Sequence, residues 1–227
     1  MNVKFRVLGA MAGGLCLCGV AMGGPEWQEG LMAMGDAGAF PVDAQVPVGV
    51  GALNGIAGEL EGGRGTGDFQ DMYLIYIKAP NQFSATTAVV AGQGGASFDT
   101  QLWLFDMFGT AQLANDETTT GSGHSTLLNT ATDGTGFSVT TPGLYLLAIT
   151  GFDSDPLSVA GLQFDQPIRT EISGPDGSGG STPIVAWTGP GEFGTYEIRL
   201  SGVSFVPSGA TGAVFCVGGL FAARRRR

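Results

Sequence analysis

The chain has 227 residues, a mean hydropathy of +0.21 and a formal net charge of −10. Apolar residues make up 43% and charged residues 13%, with 40 Gly and 11 Pro, which excludes a charge-rich disordered chain or coiled coil and leaves room for a packed, turn-rich core. Lys4 and Arg6 stand at the start and Arg224 to Arg227 at the end; only Arg64, Lys78, Arg169 and Arg199 lie between, where all 20 acidic residues fall. A body this acidic repels a phosphate backbone, so nucleic acid is excluded as a partner.

Residues 1–23 read as a signal peptide. Lys4 and Arg6 form a basic start, Val7 to Val20 is an apolar stretch too short to span a bilayer, and Ala21-Met22-Gly23 offers a small-residue cleavage site. Cys16 and Cys18 go with that segment, and Leu15 and Leu17 before them argue against lipidation. Cys216 alone remains, so the mature body has no disulfide. Residues 24–35 are expected to be a flexible lead-in, followed by one domain over 36–203.

Within that domain, short apolar runs are broken by Gly, Pro, Asn and Asp, and no run holds a helical period. Strands are predicted at Ile56 to Leu60, Met72 to Ile77, Phe83 to Val90, Leu102 to Phe105, Leu144 to Ile149, Ile184 to Trp187 and Tyr196 to Leu200. The second and fourth of these are apolar on both faces, which predicts strands covered on both sides, and the fifth follows the turn dipeptide Pro142-Gly143. The last alternates, with Tyr196, Ile198 and Leu200 facing a core and Glu197 and Arg199 facing water.

Residues 204–227 form a C-terminal segment. Thr211 to Ala223 is apolar but shorter than a bilayer span, and four arginines follow it, the pattern of a stop-transfer signal. Residues 206–227 resemble the PEP-CTERM class of bacterial sorting tails, with Val206-Pro207-Ser208-Gly209 in the position of that family's Pro-containing motif. The resemblance implies transient membrane attachment through the tail and recognition by an exosortase-like membrane protease.

Three segments of the body resemble the bacterial pre-peptidase C-terminal (PPC) domain family. They are Gly67-Asp68-Phe69-Gln70-Asp71-Met72-Tyr73-Leu74-Ile75, then Phe98-Asp99-Thr100-Gln101-Leu102-Trp103-Leu104-Phe105-Asp106 with Asn115-Asp116-Glu117 beyond it, and Pro142-Gly143-Leu144-Tyr145-Leu146-Leu147-Ala148-Ile149. The resemblance implies an all-β fold, a jelly-roll-like antiparallel sandwich of about eight strands. It also implies an accessory module of exported proteins, some members of which bind calcium or insoluble polymers.

Catalytic constellations are sparse. His124 is the single histidine, so a multi-histidine metal centre is excluded, and Gly121-Ser122-Gly123-His124-Ser125 is not a nucleophile elbow. The run Gly62 to Gly67 lacks the Lys-Ser/Thr of a phosphate loop. Calcium is the expected ion, because it takes six to eight hard oxygen ligands from loops. The candidate ligands are Asp68, Asp71, Asp99, Asp106, Asp116 and Glu117, with Asp99 expected near Asp116 and Glu117. No EF-hand spacing is present: Asp153-Ser154-Asp155 runs into Pro156. The competing reading is that these acids shape turns. Trp187, beside a turn, is the candidate for stacking on a sugar, against a packed strand-end role.

The expectation is thus an exported, non-enzymatic protein of the cell surface, envelope or extracellular matrix. It would bind an extracellular polysaccharide or protein polymer, with Ca²⁺ as the candidate cofactor. A self-associating coat component and a carboxylate-based hydrolase are the alternatives.

Overall fold

A computed structural model describes residues 27–30, 35–63, 67–89, 92 and 94–207. The signal peptide expected over 1–23 and the sorting tail beyond Pro207 lie outside the described residues. The chain forms β1 (Trp27–Gln28), β2 (Gly55–Glu59), β3 (Gln70–Ile77), β4 (Ser84–Thr86), β5 (Gly95–Ala96), β6 (Thr100–Asp106) and β7 (Ala111–Asn115). It continues through β8 (Thr126–Leu128), β9 (Gly143–Gly151), β10 (Pro156–Ser158), β11 (Gly161–Leu162), β12 (Ile184–Trp187), β13 (Thr195–Ser201) and β14 (Val203–Ser204). Among the described residues the only helical element is a single 3₁₀ turn, Pro80–Gln82. The protein is an all-β sandwich. The strands beyond the expected eight or so are short ones of two to five residues.

One main sheet has the order β1-β2-β13-β4-β8, with β5 also pairing β13; the other runs β14-β3-β9-β6-β7. All named pairs are antiparallel except β1 on β2. A small third sheet, β11-β10-β12, lies apart.

Side chains alternate across a strand, and in the second sheet both faces are buried. Tyr73, Ile75 and Ile77 of β3, Leu102 and Leu104 of β6, and Leu147 and Ile149 of β9 enter the core shared with Ile56, Ile198 and Leu200 of the first sheet. The intervening Met72, Leu74, Trp103, Phe105, Leu146 and Ala148 enter a second core, closed by Phe164, Ile184 and Trp187. The continuous apolar runs of β3 and β6 therefore have the meaning expected of them, and β9 is buried on both faces as well.

Two predicted segments differ. The strand expected from Phe83 to Val90 stops at Thr86 because Thr87 turns inward: its hydroxyl lies 2.7 Å from Thr100 Oγ1 and accepts the Ser125 amide at 2.9 Å. The expected lead-in over 24–35 is pinned within its described part. Trp27 is buried, β1 pairs with β2, and the indole N–H donates to Gln45 Oε1 at 2.7 Å. At the other end packing runs past Val203, since Phe205 and Val206 are also buried.

Candidate functional site

Strand parity decides where Asp71 goes. It lies on β3 in phase with Tyr73 and Ile75, so its side chain points between the sheets and is fully buried. Facing it is Tyr196 of β13, whose hydroxyl donates to Asp71 Oδ2; Asp71 Oδ1 is buried with no hydrogen-bond partner. Room for this polar pair comes from Gly58 on β2, where a Cβ would collide with Tyr196 Oη and Glu29 Oε2.

The N-terminal segment brings two more carboxylates. Glu29, just past β1, accepts the Ala37 amide at 2.6 Å and the Glu59 amide at 3.3 Å. Glu29, Asp36 and Asp71 place ligand oxygens all within 4.8 Å of one another. Asp68 stands close enough to act electrostatically on Asp71, and its Oδ2 accepts the Glu61 amide at 2.7 Å.

Such crowding disfavours negative charge. Burial, then Glu29 and Asp68, hold the Asp71 carboxyl well above its ordinary range. Burial also raises Glu29 and Asp36, and pushes Asp68 up to about 6. Tyr196 donates to Asp71, and the phenolic oxygens of Tyr73 and Tyr196 lie 2.5 Å apart. A proton taken up by the cluster, or a cation beside it, offsets the crowded carboxylate charge. The donor set is all oxygen, which suits a hard divalent ion and gives no preference to zinc or copper.

The remaining candidates divide. Asp99, Asp116 and Glu117 do converge at one edge, each acting electrostatically on another of the three. They are not a group with all ligand atoms within 4.8 Å. Arg169 stands beside them, its Nε 3.7 Å from Asp116 Oδ2 and its Nη1 3.9 Å from Glu117 Oε1, with half of the side chain exposed. Burial and then Asp99 push Asp116 up to about 7 against the pull of Arg169. Asp106 stands apart as a turn former, accepting the Phe108 and Thr110 amides at 2.8 and 2.9 Å. Trp187 is half-buried at the end of β12. Its indole N–H donates to Ala39 O at 3.0 Å, and the ring sits edge-on to Trp103 and Phe105.

Glu29 and Asp36 were not among the sequence candidates. One signal was available: Trp27-Gln28-Glu29 has strand parity, which puts Glu29 on the buried face of Trp27.

No protein-family model matches this chain, and no curated protein is significantly similar to it.

Proposed function

We propose that this chain is an exported, non-enzymatic binding module, PPC-like in its body, that grips an extracellular polysaccharide or protein polymer and is organised by Ca²⁺. The observation that carries the reading is the gathering of Glu29 and Asp36, from the N-terminal segment, around the buried and half-unpartnered carboxylate of Asp71. Glu29, Asp36 and Asp71 would hold the ion, with Asp68 beside them. The ion would neutralise the cluster and fasten the N-terminal segment to the sandwich. Export is supported by the segment 1–23, and handling by an exosortase-like membrane protease by the apolar tail with its four arginines.

Calorimetric titration of chelator-treated protein with CaCl₂ tests the ion. One saturable equivalent, lost in Asp71→Asn, is expected; the absence of binding at millimolar Ca²⁺ overturns the cation role. Co-sedimentation with insoluble polysaccharides and fibrous proteins, with and without Ca²⁺, tests the module. Retention by none of them favours the self-associating coat.

A further inference from the structure

A separate cavity opens where the second main sheet meets the small one. It has a volume of about 230 Å³, and its walls include Gln101, Trp103, Asp116, Phe152, Phe164 and Arg169. Asp153, Asp155, Asp165, Leu162 and Gln166 complete it. The elements that build it are the start of β6, the end of β7, and the loops after β9 and β11.

Four carboxylates thus face one guanidinium. The balance is poor in geometry as well as in number. Arg169 reaches Asp116 only at 3.7 Å, beyond a good hydrogen bond, and half of its side chain stays in solvent. Asp116 is 4% exposed, and its Oδ1 is buried with no hydrogen-bond partner. Asp155 accepts one bond, from Gln101 Nε2 at 3.2 Å. Asp153 is the only non-glycine among the described residues with positive φ, at 71°. This left-handed conformation is one that aspartate tolerates but that a passive loop rarely needs. It holds a further carboxylate at the rim.

The lining is mostly polar, with Leu162, Phe152 and Phe164 set between the charges. Arg169 shows how a cation sits here: its guanidinium carbon lies 4.1 Å over the Phe152 ring, an attraction between cation and ring quadrupole. A sugar ring fits less well. Trp103 and Phe164 are packed against each other and nearly fully buried, and Arg169 covers Phe152, so no stacking face is open. The volume is below the roughly 300–1,000 Å³ of sites for larger small molecules, and suits one extended side chain.

We infer that this cavity is a socket for the ammonium end of a lysine side chain presented by a partner protein. The four-carbon stem lies along Leu162, the exposed apolar side chain of the lining, and the ammonium, with three donors and no acceptor, meets Asp116, Asp155 and the other two aspartates. The inference rests on the binding-module reading for its setting and narrows the polymer to a lysine-bearing protein. It is independent of calcium.

The test is an NMR titration of the chelator-treated full body with Nα-acetyl-lysine methylamide, followed at the Trp103 indole N–H and the Gln166 side-chain amide. The neutral Nα-acetyl-norleucine methylamide and glucosamine are the controls. The lysine amide is expected to shift both signals with a Kd on the order of 1–10 mM, and the controls to leave them in place. Asp165→Asn, a change at an exposed position that leaves the fold intact, should weaken binding about threefold, and Asp155→Asn about fivefold. No shift with the lysine amide, an equal shift with norleucine, equal or tighter binding of glucosamine, or indifference to both substitutions each overturns the socket. Because chelator is present throughout, failure here leaves the calcium calorimetry untouched, and failure there leaves this result standing.

Discussion

Replacing Asp71 by Asn should stabilise the protein in chelator and destabilise it, relative to wild type, in calcium. Asp71 is fully buried, Oδ1 has no partner, and Glu29, Asp68 and Asp36 all repel its charge. The amide has the same shape, keeps an oxygen to accept the Tyr196 hydroxyl, and removes the charge. Relief of an uncompensated buried polar group is worth about 1–3 kcal/mol, so the variant should gain up to that amount without metal. Adding an ion that binds only the folded state reverses the order. At one hundred times Kd the wild type gains about 2.7 kcal/mol, which for a chain of this size is about 5–10 °C in Tm. The variant, lacking the central ligand, should gain little. Differential scanning calorimetry in EDTA and in CaCl₂ measures both. The melting curves should exchange order between the two buffers. A variant that melts lower in both, or a calcium shift of equal size in both proteins, would refute the placement of the ion at Asp71.

Three further outcomes follow from named residues. Trp27→Ala should cost about 3–5 kcal/mol in urea unfolding, since the ring is 2% exposed and its N–H is bonded; a loss under about 1 kcal/mol would mean that β1 is not integral to the sandwich. Gly58→Ala drives a methyl group into Glu29 Oε2 and Tyr196 Oη, so calcium affinity should fall at least about tenfold, a loss of about 1.4 kcal/mol. Unchanged binding by calorimetry would separate Glu29 from the site. Asp116 has its carboxyl raised to about 7, so its ionisation weakens the fold: stability is fully present below the ordinary carboxylate pKa near 4 and is lost as pH rises through 7. Asp116→Asn should flatten the stability profile between pH 4 and 7, and an unchanged slope in urea titrations would show that another group titrates there.

The second main sheet was legible in the sequence for a simple reason. Strands β3, β6 and β9 are covered on both sides, so burial wrote itself into every position, and β13 carries the plain alternation of a strand with one wet face. What was hidden depends on partners distant in the chain. The two-residue strands β1, β5, β11 and β14 have no pattern to show, and exist because a longer neighbour supplies the ladder. The candidate site divides likewise. Asp68 and Asp71 stood out at the opening of an apolar strand. Glu29 and Asp36 reach them only through tertiary packing. For Asp116 and Glu117 the local acid pattern suggested a metal, and Arg169, more than fifty positions away, comes beside them only through tertiary packing.

Strand β13 lies between β2 on one side and β4 and β5 on the other, and β2 makes no ladder with either. The first main sheet is therefore three unconnected pieces, β1-β2, β4-β8 and β5, until residues 195–201 arrive, and β14, just beyond, adds the edge of the opposite sheet. Synthesis delivers these strands after all the others. A ribosome that still holds residue 195 keeps the first main sheet from closing, and with it the core that sheet shares with the second, while the ladders β3-β9-β6-β7 and β11-β10-β12 are already complete in the emerged chain. The sandwich closes only after that delivery, when one segment joins the pieces of the first sheet and edges the second.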